Sequence, residues 1–370
     1  MESKIVKIKR QDIITILLPG LIAAGIRAMA AFPALVESVY SVGIYPYISA
    51  FLRKLSGALP FSIGDVWYAF LILYVLWRMV ERLRQISRRP RAERRWRPSN
   101  RFWIRLVNGL LLVYIAFNVL WGLNYNRLGI HHQLDFERER YSREDLVHLN
   151  ERLLVQVNQS KESVIRGGNG YGSAKEIRTQ TKKIYAKVAG KYPFLQYKNA
   201  SVKPSLFNGL GNYLGYSGYY NPFTGEAQVN TDLPLFLQPF VACHEVAHQL
   251  GYAKENEANF VGYIAATASA DTSFSYAAYF DLFLYANRAL YRVDSLAAKG
   301  FKSLLIPEVQ KDIEELKAYY RKYESPLGGV FDWVYGKYLK ANQQPEGLVT
   351  YSEVVADVIG WYKRSGKISG

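Results

Sequence analysis

Three apolar stretches in the first 123 residues constrain this chain more than anything else in it. Ile13 to Ala31 is apolar except for Thr15 and Arg27. Ile63 to Val80 carries Trp67, Tyr68, Tyr74 and Trp77, and Leu106 to Leu123 has Trp103 and Trp121 near its ends. Each approaches the ~20 residues that span a bilayer, and aromatic residues near the ends suit the interfacial belts. Packed into a water-soluble core, three such helices would have no polar face to turn outward. A membrane anchor of about three transmembrane helices (13–31, 63–80, 106–123) is therefore expected over residues 1–123, followed by a separate domain over 124–370.

Charge sets the expected orientation. Residues 1–123 hold 18 of the 47 Lys and Arg but only 6 of the 31 Asp and Glu, so most of the formal charge of +16 sits around the apolar stretches. Lys4, Lys7, Lys9 and Arg10 precede the first stretch, and loop 81–101 carries nine arginines, among them Arg88, Arg91 and Arg97. Only Arg53 and Lys54 lie between the first and second stretches. By the positive-inside rule, the N-terminus and the basic loop 81–101 face the cytoplasm and residues 124–370 face outward. Topology accounts for these arginines without nucleic acid as a partner. A basic start, an apolar core and Ala28-Met29-Ala30 also fit a cleaved signal peptide. Arg27 and the full spanning length favour retention, and cleavage would leave the large domain on the same side. Val39 to Leu55, rich in aromatic and small residues, reads as a segment lying flat on the membrane surface. The single cysteine excludes a disulfide framework within the chain.

Chemistry enters at His244-Glu245-Val246-Ala247-His248. The stretch Leu233 to Tyr252 reads as a helix that has Pro239 near its start and stops at Gly251. On a helix, His244 and His248 are i and i+4, so both imidazoles leave one face. Two neutral imidazoles at that spacing suit one Zn²⁺, with Glu245 as general base for the water such a metal activates. A catalytic zinc needs a third protein ligand. Glu255 and Glu257, at the start of a second apolar helix (Phe260 to Ala270), are the candidates. Cys243 points about 100° away from His244 and reads as a buried small hydrophobe. His131-His132 reads as a surface loop and His148 as solvated.

The remaining pattern is α+β and mostly helical. Tyr141 to Ser163 is an amphipathic helix, and Ser173 to Glu176 is a capping box opening another. Strand-like segments follow at 201–202, 206–207 and 213–220. Glu226 to Asn230 alternates as an extended strand, which reads either as an edge on which a peptide substrate can add by main-chain hydrogen bonds or as one arm of an ordinary hairpin packed on the next helix. Helices are expected over Asp271 to Arg292, Pro307 to Tyr323 and Gly329 to Lys340. Thr350 to Glu353 is a further capping box, opening Val354 to Lys363. A donor for a developing oxyanion is also needed, and Tyr216, Tyr219, Tyr220 and Tyr351 are the candidates.

The segment Glu255-x-x-Ala258-Asn259 resembles the E-x-x-A-[DN] signature of several zincin families. That resemblance implies Glu255 as third ligand, with Asn259 orienting a ligating histidine from behind. More widely, the apolar spans, Gly218 to Asn230, Cys243 to Gln249, Glu255 to Phe260 and Tyr338 to Asn342 resemble a bacterial family of membrane-anchored, zincin-like metallopeptidases labelled a domain of unknown function. The resemblance covers most of the chain and implies a multi-pass protein of the bacterial cytoplasmic membrane. Its extracytoplasmic domain would hold a small antiparallel sheet and one Zn²⁺ per chain. The partners implied are a lipid bilayer and a peptide or protein substrate, including those of the cell envelope. Two other functions fit the same residues: a zinc-binding sensor or scaffold without turnover, and a cell-wall amidase.

Overall fold

The computed structural model describes residues 10–88, 100–138, 140–168, 170–342, 344 and 351–369. The arginine-rich part of loop 81–101 and Thr350 lie outside the described residues. Helix α1 (Arg10–Ala30) leads into α2 (Pro33–Leu35), a π-helical stretch (Val36–Ile44) and α3 (Tyr45–Gly57). Two long helices follow, α4 (Ile63–Ser87) and α5 (Asn100–Leu120), then a 3-10 turn (Gly122–Asn126) and α6 (Ile130–Leu134). Next come α7 (Arg143–Gly167), α8 (Ala174–Val188), β1 (Val202–Pro204), α9 (Asn208–Leu214), β2 (Gly218–Asn221) and β3 (Glu226–Val229). The motif helix α10 (Gln238–Gln249) precedes α11 (Glu255–Thr267), α12 (Thr272–Val293), α13 (Ser295–Ser303), α14 (Pro307–Lys322), α15 (Pro326–Ala341) and α16 (Tyr351–Ser365). The class is α+β and mostly helical, as the pattern predicts.

Local chemistry accounts for the element ends. Ser173 caps α8 reciprocally with Glu176, through bonds of 2.6 and 3.3 Å. Asp271 caps α12 by accepting from the Ser273 amide at 3.0 Å. Helix α10 begins at Gln238, later than the predicted Leu233. Pro239 lies in its first turn, and residues 231–237 form turns.

The sheet departs from expectation. Its order is β1-β3-β2, with β1 parallel and β2 antiparallel to β3. Strand β3 is thus central and buried along its length, so residues 226–230 offer no edge to a peptide. The free edge on the motif side belongs to β2. Spacing could not reveal this, because the parallel β1–β3 pair joins residues more than twenty positions apart.

Among the described residues, three helices are long and apolar enough to cross a membrane: Pro33–Gly57, Ile63–Ser87 and Asn100–Leu120. The last two match predicted spans. The first predicted span falls on α1, whose described apolar stretch, Ile14–Ala30, is shorter, and α1 packs along α5. Pro33–Gly57 is no free-standing segment. Its Tyr45 hydroxyl, Ser49 hydroxyl and Arg53 guanidinium all donate to the Gln249 carbonyl, at 2.9, 2.7 and 2.9 Å. They satisfy a carbonyl that the end of α10 leaves without a helical partner, and Arg53 brings positive charge to a helix C-terminus. The opposite side of α3 exposes Tyr47 and Phe51.

Two apolar cores result. The larger gathers α7, α8, α10, α11, α12 and α16. The smaller joins Ala30, Val36, Tyr40 and Tyr45 to Trp121, Tyr125, Tyr220 and Ala253. It welds the ends of α1 and α5 to the turn after the motif helix. Arg127 adds a buried bidentate pair with Glu37 (2.9 and 2.7 Å) and donates to the Gly251 carbonyl at 3.2 Å.

Candidate metal centre

Helices α10 and α11 approach closely because Gly262 lies against His244. A Cβ at Gly262 would come within 3.0 Å of the His244 amide nitrogen. The turn between them runs through Gly251, at φ +90°, where a side chain would be strained. This close hairpin carries Glu255 onto the histidine face of α10. One ligand atom from each of His244, His248 and Glu255 lies within 4.8 Å of the others. His244 Nε2 is 3.5 Å from Glu255 Oε2, and His248 Nε2 is 3.7 Å from Glu255 Oε1. The two imidazole centroids are 4.7 Å apart at 89°.

Glu257, the other candidate, points elsewhere. It is buried beside Gly129 and lies 3.5 Å from Lys254 Nζ. Two residues along a helix is a rotation of about 200°, so Glu255 and Glu257 cannot share a face.

The surroundings suit a cation. His248 Nδ1 lies 2.7 Å from the Tyr252 carbonyl, which holds the proton on Nδ1 and leaves the Nε2 lone pair facing the cluster. Burial brings His248 down to about 4, so it is neutral at physiological pH. Burial opposes charge on His244 too, but the Glu255 hydrogen bond and the Glu245 and Glu255 charges carry it up to about 9. Burial likewise opposes charge on Glu255, yet the two histidines and Tyr335 hold it at about 2. The opposite shifts of His244 and Glu255 arise because each stabilises the charge of the other. Two imidazoles and one carboxylate are a donor set that fits zinc.

Glu245 projects toward β2. A Cβ on Gly218 would lie 2.7 Å from Glu245 Oε1, so only glycine fits beneath this carboxylate. Burial raises Glu245 to about 8, and its Oε2 has no hydrogen-bond partner among the described residues.

The orienting role expected of Asn259 is not formed. Asn259 lines the cavity, but neither its Nδ2 nor His244 Nδ1 has a hydrogen-bond partner among the described residues. The negative charge near His244 on the α12 side belongs to Asp281, held up to about 7 by burial. Of the four tyrosines, Tyr216, Tyr219 and Tyr220 line the cavity. Tyr219 is engaged by Asp65, and Tyr220 lies 3.4 Å from the Tyr45 hydroxyl. Tyr216 makes only a 3.5 Å bond to the Phe207 carbonyl. The side chain of Tyr351 lies outside the described residues. The phenol that touches a ligand was missed: the Tyr335 hydroxyl donates to Glu255 Oε1 at 2.6 Å. It is one of 29 tyrosines, eighty positions from its partner, and no local signal marks it.

Cys243 is fully buried and protonated, as expected. His148 is exposed. His131 departs from the surface-loop reading: it lies in α6 with Nε2 2.6 Å from buried Asp357, which Arg138 also holds at 2.7 Å.

The cluster opens into a cavity of about 610 Å³. Its walls come from β2, α9, α12 and α15, and also from Tyr68, Leu71 and Ile72 of α4 and Phe117 of α5. Helix α15 contributes a stacked aromatic row, Phe331, Tyr335 and Tyr338, with centroids 5.7 and 6.0 Å apart. Fold and site together define a mostly helical α+β protein with apolar N-terminal helices and a buried two-histidine, one-carboxylate cluster. The chain belongs to the family described as "Protein of unknown function (DUF3810)", whose model matches residues 40–359. No curated protein and no solved structure matches the chain.

Proposed function

We propose that this protein is a membrane-anchored zinc peptidase that hydrolyses peptide bonds outside the cytoplasm. The observation that carries this reading is the convergence of His244, His248 and Glu255 on one point, with the Glu245 carboxylate beside it at the edge of an open cavity. Held by His244, His248 and Glu255, a zinc ion would lower the pKa of a water and polarise a carbonyl. Glu245 takes the proton from the attacking water and passes it to the leaving amine nitrogen, a role its raised basicity suits. The free edge of β2 aligns an extended chain by main-chain hydrogen bonds and sets the scissile carbonyl over the cluster. Tyr216, which lines the cavity and makes a 3.5 Å bond to the Phe207 carbonyl, is the phenol proposed to meet the developing oxyanion, while Tyr335 stays with Glu255.

The chain directions support the proposed topology. Helix α1 ends, α4 begins and α5 ends against the motif domain, through Ala30, Ser62 and Trp121. Their other ends lead in sequence to the basic N-terminus and the arginine loop. On this reading α1, α4 and α5 cross the cytoplasmic membrane of a bacterium, and Pro33–Gly57 lies at the outer surface.

The test is Glu245→Gln in the purified full chain. The variant is expected to keep one zinc per chain and to lose hydrolysis of a peptide library by about 10³-fold. Wild-type rates in that variant would refute the mechanism.

A further inference from the structure

The candidate site does not face away from the anchor. Leu71 and Ile72 line the same cavity as His244 and Glu245, yet they belong to α4, a helix long and apolar enough to span a bilayer. Both also remain exposed, at 44% and 53%. They sit about 12 Å along α4 from its docked end at Ile63, where a helix leaving the domain enters lipid. Phe117 adds the matching end of α5.

The outer lip of the cavity is apolar as well. Helices α9 and α15 meet where the Ser325 hydroxyl donates to the Tyr213 carbonyl at 3.1 Å. Their outward sides expose Leu210, Tyr213, Val330, Trp333 and Val334. On α15 the aromatic row turns into the cavity while Leu327, Val330 and Val334, at helical spacing, turn outward. Soluble surfaces seldom expose so continuous an apolar patch, whereas a helix lying in the membrane interface does. Its continuity with α4 and α5 lies in the cavity wall, which Leu210 and Phe331 share with Leu71, Ile72 and Phe117.

From this continuity, and resting on the peptidase reading above, we infer that the substrate is a membrane-anchored peptide chain. It enters sideways from the outer bilayer surface, between α4 and the α9–α15 lip. The anchor stays in lipid beside Leu71 and Ile72, and the extended segment next to it lies along β2. A wall shared between site and span raises the local concentration of such a chain and excludes peptides that lack an anchor.

The test uses the zinc-loaded full chain in phosphatidylethanolamine–phosphatidylglycerol vesicles. A randomised fluorogenic decapeptide library is supplied free and N-terminally palmitoylated. The anchored library is expected to be cleaved at least tenfold faster. Leu71→Gln is expected to lower the anchored rate several-fold more than it lowers the free rate. Because that variant can also fail to insert, a second readout uses the Glu245→Gln protein with a photoreactive group at position 71, expected to crosslink the anchored library and not the free one. Equal cleavage and equal crosslinking of the two libraries would overturn membrane delivery and leave the peptidase intact. Crosslinking of the anchored library without cleavage of either by wild type would support delivery and overturn the peptidase. No cleavage and no crosslinking would overturn both.

Discussion

The indole Nε1–H of Trp121 donates to the main-chain carbonyl of His248 at 3.0 Å. The last turn of a candidate membrane span thus holds the backbone of a candidate metal ligand. The rings of the two residues also meet, centroid to centroid, at 6.0 Å. Beside them, Tyr45, Ser49 and Arg53 hold the next carbonyl, that of Gln249. The anchor is thereby part of the scaffold that orients the cluster.

Trp121→Phe keeps a ring and removes the donor. It is expected to cost about 1 kcal/mol of stability and to lower zinc affinity a few-fold, measured by thermal unfolding and metal titration in detergent. Tyr45→Phe should cost less, because the Gln249 carbonyl keeps Ser49 and Arg53. A Tyr45→Phe loss larger than that of Trp121→Phe would contradict this assignment.

The two glutamates of α11 separate by metal content. Glu255→Ala is expected to weaken zinc binding by about 100-fold or more, since it removes one of three protein ligands. Glu257→Gln should bind zinc as wild type does, because Glu257 lies on another face of the helix beside Lys254 and Gly129. Elemental analysis after dialysis distinguishes them, and the reverse order would reassign the third ligand.

Gly218→Ala probes the base without touching a ligand. The added Cβ would lie 2.7 Å from both Glu245 Oε1 and the Gln228 carbonyl oxygen, so Glu245 or β2 must shift. Turnover is expected to fall 10- to 100-fold, as about 1 Å misplacements do, with zinc stoichiometry unchanged. Full activity in this variant would show that Glu245 need not stand at β2.

Asp357 gives a stability prediction with a defined pH sign. Burial opposes its charge, but His131 and Arg138 hold its carboxyl below the usual range. A carboxyl lowered by folding adds stability above its unfolded pKa of about 3.9 and loses it as pH falls through the folded value. Asp357→Asn is expected to cost about 2 kcal/mol at neutral pH, because His131 and Arg138 lose a charged partner while Arg138, partly exposed, keeps Glu353. That deficit should shrink below about pH 4. Denaturant unfolding at pH 7 and pH 3 checks both, and a deficit that grows on acidification would reverse the sign.

Much of this architecture was legible in the chain because it depends on neighbours. The i,i+4 histidines, the stop at Gly251 and the capping box at Ser173 are read within one or two helical turns. So is the length of α4 and α5, which follows from uninterrupted apolar runs. The errors lie where partners are distant. Residues 226–230 read as an edge because their partner at 202–204 pairs in parallel from far upstream. For residues 39–55, read as a segment on the membrane surface, nothing local shows that Tyr45, Ser49 and Arg53 also cap a helix two hundred positions later. Asn259 fits a familiar pattern, yet its side chain makes no bond to either histidine.

By spacing alone, the sequence determined two imidazoles and a carboxylate on one helix, two further carboxylates just past a glycine turn, and apolar helices of bilayer length ahead of them. Those properties follow from the helical period and from the cost of exposing apolar surface. Only the tertiary structure brought Glu255 rather than Glu257 to the two histidines, put Gly218 under Glu245, set Tyr335 against Glu255, and made Leu71 and Ile72 a wall of the same cavity. Each depends on the angle at which two elements pack, which is set by contacts across the whole chain rather than by any residue's neighbours.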